Sequence, residues 1–290
     1  MEQCIRKAYA KINLGLDVIG RLENGYHEVK MVMQTVGIYD VLTLTKIPQG
    51  IIVTTDSGEL PTDDNNLIYK AARLMIEKYN IPEGVSIHLE KNIPIAAGMA
   101  GGSTDAAGTF LGMNELFALN ATVQELQELG VKVGADVPYC IMGGTALAEG
   151  IGEKLSPLPT PPECILLIAK PDINVSTKYV YEHLDSEGVE EHPDIDGMTD
   201  ALTRKDLQGI VERLGNILEN VTVKKHPIIA EIKSCMLEHG AMGSLMSGSG
   251  PTVFGIFDKK EDAEKAMKYI RDKELAKQVF VTGFYNNGEV

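Results

Sequence analysis

Lys11 and Asn13 stand two residues apart in the run Lys11-Ile-Asn-Leu-Gly-Leu-Asp17, and Asp136 lies far downstream in Gly134-Ala-Asp-Val-Pro138. A lysine and an aspartate brought together beside a phosphoryl group would polarise and deprotonate an alcohol, which is the chemistry of phosphoryl transfer. Taken singly, each has an ordinary reading. A lysine on the polar face of an apolar strand faces solvent, and an aspartate ahead of Val-Pro ends a turn or a helix. Spacing alone does not say whether the two meet.

Between them lies Pro94-Ile-Ala-Ala-Gly-Met-Ala-Gly-Gly-Ser-Thr-Asp105. Gly98, Ala100, Gly101 and Gly102 let the backbone approach a ligand, and Ser103 to Asp105 open a helix whose unpaired N–H groups and dipole favour phosphate. The segment has no Lys or Arg, so it is not a Walker A loop, and it has no G-x-G-x-x-G, so it is not a dinucleotide fingerprint. By glycine content alone it is a phosphate loop or a tight turn into a helix. A third segment, Gly243-Ser-Leu-Met-Ser-Gly-Ser-Gly-Pro-Thr252, is a hairpin turn or a second backbone lining for a ligand. Tyr26 and Tyr181 are aromatics beside turns, suited to stacking on a base or to core packing. His27, a lone histidine near these motifs, is structural on the same simple reading.

Among 290 residues, 41 are acidic and 27 basic, a net charge of −14. Such a surface repels nucleic acid and anionic membranes, and an anionic ligand must be held by local backbone donors or a few placed cations. Cys4, Cys140, Cys164 and Cys235 lie far apart with no C-x-x-C pair, which argues against a disulfide framework or a zinc cluster. No apolar run is long enough to span a bilayer, and Met1 to Tyr9 lacks the core of a signal peptide, so the expected compartment is the cytoplasm.

Positioning these groups falls to elements that the patterning marks out. Lys11 to Val18 alternates, with Ile12, Leu14, Leu16 and Val18 on one face and Lys11, Asn13, Gly15 and Asp17 on the other, a half-buried strand. Asn24-Gly25 turns it into a second strand, Val29 to Thr45. A helix over Asp63 to Asn80 and a strand over Val85 to Leu89 precede the glycine loop, and a helix from Ala106 to Leu119 follows it. Thr122 and Glu125 form a capping box. Pro157, Pro159, Pro161 and Pro162 mark a linker. Beyond it come a strand at Cys164 to Ala169, a helix from Ser176 to Asp185 and an acidic loop from Glu187 to Asp196. Helices then follow at Leu202 to Leu218 and Ile228 to Leu237, and after the third segment a strand at Thr252 to Phe257, a helix at Glu261 to Asp272 and a strand at Gln278 to Phe284. Both halves are therefore expected to mix strands and helices, an α+β class.

Lys11 to Asp17, Pro94 to Ser103 and Gly243 to Pro251, in this order, resemble the three signature motifs of the GHMP small-molecule kinases. The combination is far more specific than any part. Ala10-Lys-Ile-Asn-Leu14, Gly25-Tyr-His-Glu28, Gly134 to Pro138 and Met246 to Thr252 narrow the resemblance to one branch. Its members phosphorylate a cytidine-diphosphate-linked methylerythritol in the non-mevalonate route to isoprenoids. The resemblance runs over nearly the whole chain.

It implies a two-domain α+β kinase using ATP and Mg²⁺. Residues 1–160 would resemble ribosomal protein S5 domain 2 and bind ATP, and residues 161–290 would be ferredoxin-like. Asp136 matches the family's general base, and Lys11 the cation that orients base and alcohol and stabilises charge on the moving phosphoryl group. Asn13 would meet the polar end of the acceptor. His27 would read the cytosine edge, and Tyr26 would stack on the base opposite Tyr181, a position reached by offset through Thr177, which itself would touch the acceptor; Tyr179 is the alternative. Pro94, Ile95, Ala96, Ala97, Gly98, Met99, Ala100, Gly101, Gly102, Ser103 and Thr104 would wrap the ATP phosphates.

Many members read Gly-Leu-Gly-Gly-Gly-Ser-Ser where this chain has Gly98-Met-Ala-Gly-Gly-Ser-Thr104, so a second serine's role would pass to Thr104. No carboxylate is assigned to Mg²⁺, since Asp105 is only near the loop. The enzyme would be a monomer or weak homodimer without nucleic-acid or membrane partners. A homoserine or mevalonate type of GHMP kinase would share the loop but has no use for a nucleobase clamp at Tyr26-His27. A non-catalytic nucleotide-binding relative would have no need to keep both Lys11 and Asp136.

Overall fold

A computed structural model describes residues 1–23, 25–187 and 191–286 of the chain. Asn24 of the expected turn and residues 188–190 of the expected acidic loop lie outside the described residues. The first elements are β1 (Gln3–Arg21), β2 (His27–Ile47), β3 (Ile51–Thr55), α1 (Leu67–Tyr79), β4 (Gly84–Glu90) and α2 (Gly101–Leu116). They are followed by α3 (Val123–Gly130), α4 (Val137–Met142), β5 (Thr145–Gly150), β6 (Lys154–Pro157), β7 (Ile165–Lys170), α5 (Thr177–Glu187), α6 (Ile195–Thr203) and α7 (Leu207–Glu212). The last are β8 (Gly215–Asn216), α8 (Glu219–Lys225), α9 (Ile228–Glu238), β9 (Gly243–Met246), β10 (Val253–Phe257), α10 (Lys260–Asp272) and β11 (Gln278–Thr282).

The chain packs as two compact units that interleave in sequence. One is Met1–Ala10, Ile38–Ile95 and Ala100–Gly143; the other is Lys11–Gly37, Ala96–Met99 and the chain from Gly144 on. Strands β1 and β2 contribute one half to each.

In the first unit the strand order is β3-β4-β2-β1, with β2 antiparallel to β4 from Val41 to Ile47 and β3 parallel to β4. Leu42 and Leu44 on β2 are fully buried, each contributing about 1.5–3 kcal/mol by burial. Helix α1, capped where Asn66 accepts from the Ile68 N–H, turns Ile68, Ala71, Ala72 and Met75 into the same core. Helix α2 is buried on nearly every side. A methyl group on Gly108 would lie 2.8 Å from Leu42 Cδ1 and one on Gly112 2.7 Å from Leu44 Cδ1, so glycine is what lets this helix settle onto the sheet. The expected capping box closes α3, with Thr122 accepting from the Glu125 N–H and Glu125 from that of Thr122.

In the second unit β8 pairs parallel to β1 at Gly15 and Leu16, and β5 pairs antiparallel to β2 from Val29 to Gln34, with β6 beyond it. A separate antiparallel sheet runs β11-β7-β10-β9. With its strands numbered along the chain the order is 4-1-3-2, and α9 and α10 pack on it, which is the ferredoxin-like arrangement.

Three features depart from the sequence reading. The strand through Lys11 is buried on both faces rather than one: Lys11, Asn13 and Asp17 are 5%, 0% and 6% exposed. Their polar face is covered because Ile195 lies against Gly15 and Ser247 against Asn13. Leu202 to Leu218 is not one helix. Lys205 takes a left-handed conformation (φ 54°), and Asp206 accepts from the Gly209 N–H to start α7 afresh, after which the chain forms β8. Strands β3, β5 and β6 went unmarked because they are short and lack a clean alternation.

The four cysteines are unpaired thiols. Burial pushes Cys4 up to about 11, helped by Glu115, and Cys164 up to about 12, so neither is a ready nucleophile. Among the described residues no helix is long and apolar enough to cross a membrane.

Candidate active site

The segment from Pro94 leads straight into α2. Ala96 (φ 50°), Gly98 (φ 74°) and Ala100 (φ 56°) are left-handed, alternating with residues of ordinary φ. Alternation of this kind is the backbone form in which successive N–H groups can turn to one side as an anion nest. Two of the three are alanines, held there at a cost of about 1–2 kcal/mol each. Ala100 is also the N-cap of α2 and has no side chain with which to cap it. The first-turn N–H groups of Gly101, Gly102 and Ser103 are thus left to a ligand. Thr104 is buried, its hydroxyl donating to the Tyr9 carbonyl at 2.9 Å.

Lys91, three residues before this loop, was not marked by the sequence. In the first unit its Nζ reaches Asp40 Oδ2 at 2.5 Å and Asp105 Oδ2 at 2.8 Å, with all three side chains buried. A methyl group on Gly101 would lie 3.0 Å from that Nζ, so the ammonium backs the first turn of α2. Asp40 Oδ1 accepts from the N–H groups of Asn92 and Ile93, whereas Asp105 Oδ1 is buried without a partner. Burial holds the Asp105 carboxyl well above the usual carboxylate range; Lys91 opposes this, and Asp40 adds to it by charge and by hydrogen bonding. The only hint in the sequence was a lysine close before the loop.

In the second unit Lys11 and Asn13 do share a face, as the strand period requires. Lys11 Nζ donates to Asn13 Oδ1 at 2.8 Å, and the Lys11 N–H donates to the Met99 carbonyl at 3.3 Å. Ser247 joins the third glycine-rich segment to this strand and to the loop at Gly98. Its hydroxyl donates to the Gly98 carbonyl at 3.0 Å and accepts from the Asn13 N–H at 3.3 Å. A side chain on Gly98 would collide with the Ser247 carbonyl oxygen, and one on Gly248 would lie 3.1 Å from the Gly98 oxygen. The two loops meet backbone to backbone.

The second unit also pairs His27 with Tyr181, ring centroids 4.8 Å apart, while the Tyr26 ring stands exposed. Tyr179 is engaged elsewhere, stacked on His183 at 3.7 Å with Lys225 Nζ 3.3 Å from its ring. Thr177 Oγ1 and Ser249 Oγ are 2.8 Å apart, which ties the start of α5 to the third segment.

Asp136 belongs to the first unit. It is the N-cap of α4, with Pro138 in the first turn, yet its carboxylate makes no capping bond to that helix. Gly134, two residues earlier, lies beside the α2 start: a methyl group there would stand 3.7 Å from Ser103 Oγ.

The loop fits polyphosphate, held by backbone donors in a protein of net charge −14. Among the described residues no three His, Cys, Asp or Glu side chains form a metal-binding group. Asp105 does not fit a metal ligand, because one oxygen is engaged by Lys91 and its surroundings favour the protonated form.

Comparison with known proteins agrees with this geometry. Residues 66–144 match the GHMP kinases N terminal domain, and residues 198–275 the GHMP kinases C terminal domain. A 4-diphosphocytidyl-2-C-methyl-D-erythritol kinase of Lachnospira eligens is 56% identical over 97% of this chain and 98% of its own. One of Lachnoclostridium phytofermentans is 51% identical over 98% of each. Among solved structures, a 4-(cytidine 5'-diphospho)-2C-methyl-D-erythritol kinase superposes with a TM-score of 0.83 at 32% identity, covering 98% of this chain and 100% of that one. A nest-forming loop, a buried Lys-Asn pair and this likeness along the full chain lead to one assignment: the chain belongs to the GHMP kinase family and, within it, to the 4-diphosphocytidyl-2-C-methyl-D-erythritol kinases.

Proposed function

We propose that this chain uses ATP to phosphorylate the 2-hydroxyl of 4-diphosphocytidyl-2-C-methyl-D-erythritol, giving the 2-phosphate and ADP in non-mevalonate isoprenoid precursor synthesis. The observation that carries the choice of acceptor is the pairing of His27 with Tyr181 beside an exposed Tyr26. A bare small alcohol needs no such aromatic group, whereas a cytosine ring takes an edge from imidazole and faces from two phenols. Tyr181 is preferred to Tyr179 because the Tyr179 ring is already covered by His183 and Lys225.

On this reading the N–H groups from Ile95 to Ser103 hold the ATP phosphates, the Thr104 N–H being taken by the Ala100 carbonyl, and the Ser103 hydroxyl faces the same anion. Mg²⁺, when bound, would neutralise charge on the ATP phosphates, and no carboxylate of this chain is assigned to hold it. Asp136 takes the proton from the 2-hydroxyl as general base. Lys11, oriented by Asn13, holds base and alcohol in line and stabilises charge on the transferring group. Asn13 and Thr177 contact the polar part of the acceptor. Residues 1–160 carry the ATP-binding loop and residues 161–290 form the C-terminal domain, in a cytoplasmic monomer or weak homodimer.

The test is ADP release with Mg-ATP and the cytidine-linked acceptor, run beside homoserine and mevalonate, with Asp136→Asn as control. Turnover confined to the cytidine-linked acceptor and lost in the variant is expected. Turnover only with another alcohol would overturn the acceptor assignment, and turnover with none would overturn the kinase reading.

A further inference from the structure

The third glycine-rich segment is held from behind by Asn216, a residue outside all three motifs. Its side chain is buried at the end of β8, where Asn216 pairs with Leu16 of β1. Nδ2 donates to the Met246 carbonyl at 2.7 Å and to the Gly248 carbonyl at 2.8 Å, while Oδ1 accepts from the Leu218 N–H at 3.0 Å. Both donors of the amide are engaged, and the three partners together fix its orientation. The two carbonyls flank Ser247, whose hydroxyl bonds Gly98 and Asn13, and Asn13 in turn bonds Lys11. An unbroken chain of hydrogen bonds and peptide units therefore runs from Asn216 to the phosphate loop on one side and to Lys11 on the other.

We infer that Asn216 is a positioning residue for phosphoryl transfer, acting through Ser247 to set the phosphate loop at Gly98 and the Lys11-Asn13 pair together. The inference rests on the kinase reading above. Plain structural support would not require the two donors to bracket the one serine that touches both functional groups. Thr222, which donates to the Ser249 carbonyl at 3.2 Å, holds the far side of the same segment without reaching either group.

The experiment compares Asn216→Asp, Ser247→Ala and the double variant. Asn216→Asp keeps the acceptor for Leu218 and replaces the donor with an oxygen facing two carbonyls. Affinity for Mg-ADP is read by calorimetry without acceptor, and kcat and both KM values by turnover. In folded Asn216→Asp a roughly tenfold weaker Mg-ADP affinity and a fall in kcat of about tenfold or more are expected, with KM for the cytidine-linked acceptor, which Asn13 also meets, rising by less than the nucleotide affinity falls. Ser247→Ala moves the same quantities in the same direction by at least about threefold, and the double variant is no worse than Asn216→Asp alone.

Folded Asn216→Asp with wild-type nucleotide affinity and kcat would overturn the inference, as would additive losses in the double variant. If Asn216→Asp does not fold, Ser247→Ala decides: wild-type behaviour overturns the inference, and the expected split supports it. Should the wild-type protein turn over no cytidine-linked acceptor, the kinase reading fails separately, and the positioning role is judged on Mg-ADP affinity alone.

Discussion

The Lys11 ammonium lies 2.8 Å from Asn13 Oδ1, with both side chains buried on a strand whose polar face would ordinarily meet water. Burying a lysine is costly, and on the reading proposed above this ammonium answers the charge of the transferring phosphoryl group. Lys11→Met should therefore lower kcat by about 10²–10³ while leaving Mg-ADP affinity close to wild type. A variant retaining more than about a tenth of wild-type kcat would remove Lys11 from the chemistry.

Asp136→Asn keeps the shape of the side chain and removes its basicity. Loss of a general base predicts a fall in kcat of about 10²–10⁴ with KM for ATP little changed. Steady-state kinetics at saturating ATP makes the comparison, and an unchanged kcat would exclude the role.

Removing the aromatic group should act on one substrate only. Tyr181→Ala and Tyr26→Ala are each expected to raise KM for the cytidine-linked acceptor by about 1–3 kcal/mol of lost stacking, with KM for ATP unaffected. Tyr179→Ala, whose ring packs on His183 and Lys225, should change acceptor KM much less. The reverse ranking would assign the clamp to Tyr179.

Gly98→Ala places a methyl group against the Ser247 carbonyl at a residue of φ 74°. The loop must shift, and the nest with it, so nucleotide affinity is expected to fall by about tenfold or more. Calorimetry with Mg-ADP checks this, and wild-type affinity would show that the contact between the two loops does not set the phosphate site.

Asp105 makes stability depend on pH. Its carboxyl is raised by burial and by Asp40, so the folded protein holds this proton after the unfolded chain has lost it. Across that window, from the ordinary carboxylate range up to the raised value, unfolding free energy falls as pH increases. Asp105→Asn has no proton to lose and keeps an oxygen for Lys91. Its melting temperature should therefore gain on wild type as pH rises, the two being closest in acid. A gap that moves the other way would mean that Asp105 is ionised and stabilised by Lys91.

Much of the site was legible from residue types and local spacing. The order of the three glycine- and polar-rich segments, the small residues from Gly98 to Gly102 and the period that puts Lys11 beside Asn13 are local properties of the chain, fixed by backbone sterics and strand geometry. The helix after the loop, the Thr122-Glu125 capping box and the ferredoxin-like sheet that the resemblance implies appear as expected.

Other features required the folded chain, because they depend on which distant segments cover which faces. Nothing near Lys11 in sequence says that Ile195 and Ser247 close over its strand. Nothing near Asp105 says that Lys91 and Asp40 share its pocket, 14 and 65 positions away in the chain. The sequence by itself determined local features: a glycine-rich segment without cations that opens a helix, a lysine and an amide on one strand face, an aspartate at a turn or helix end. Tertiary structure alone decided the partners, burial and charge balance of those groups, since desolvation and hydrogen bonding across long loops are set by packing and leave no trace in local spacing.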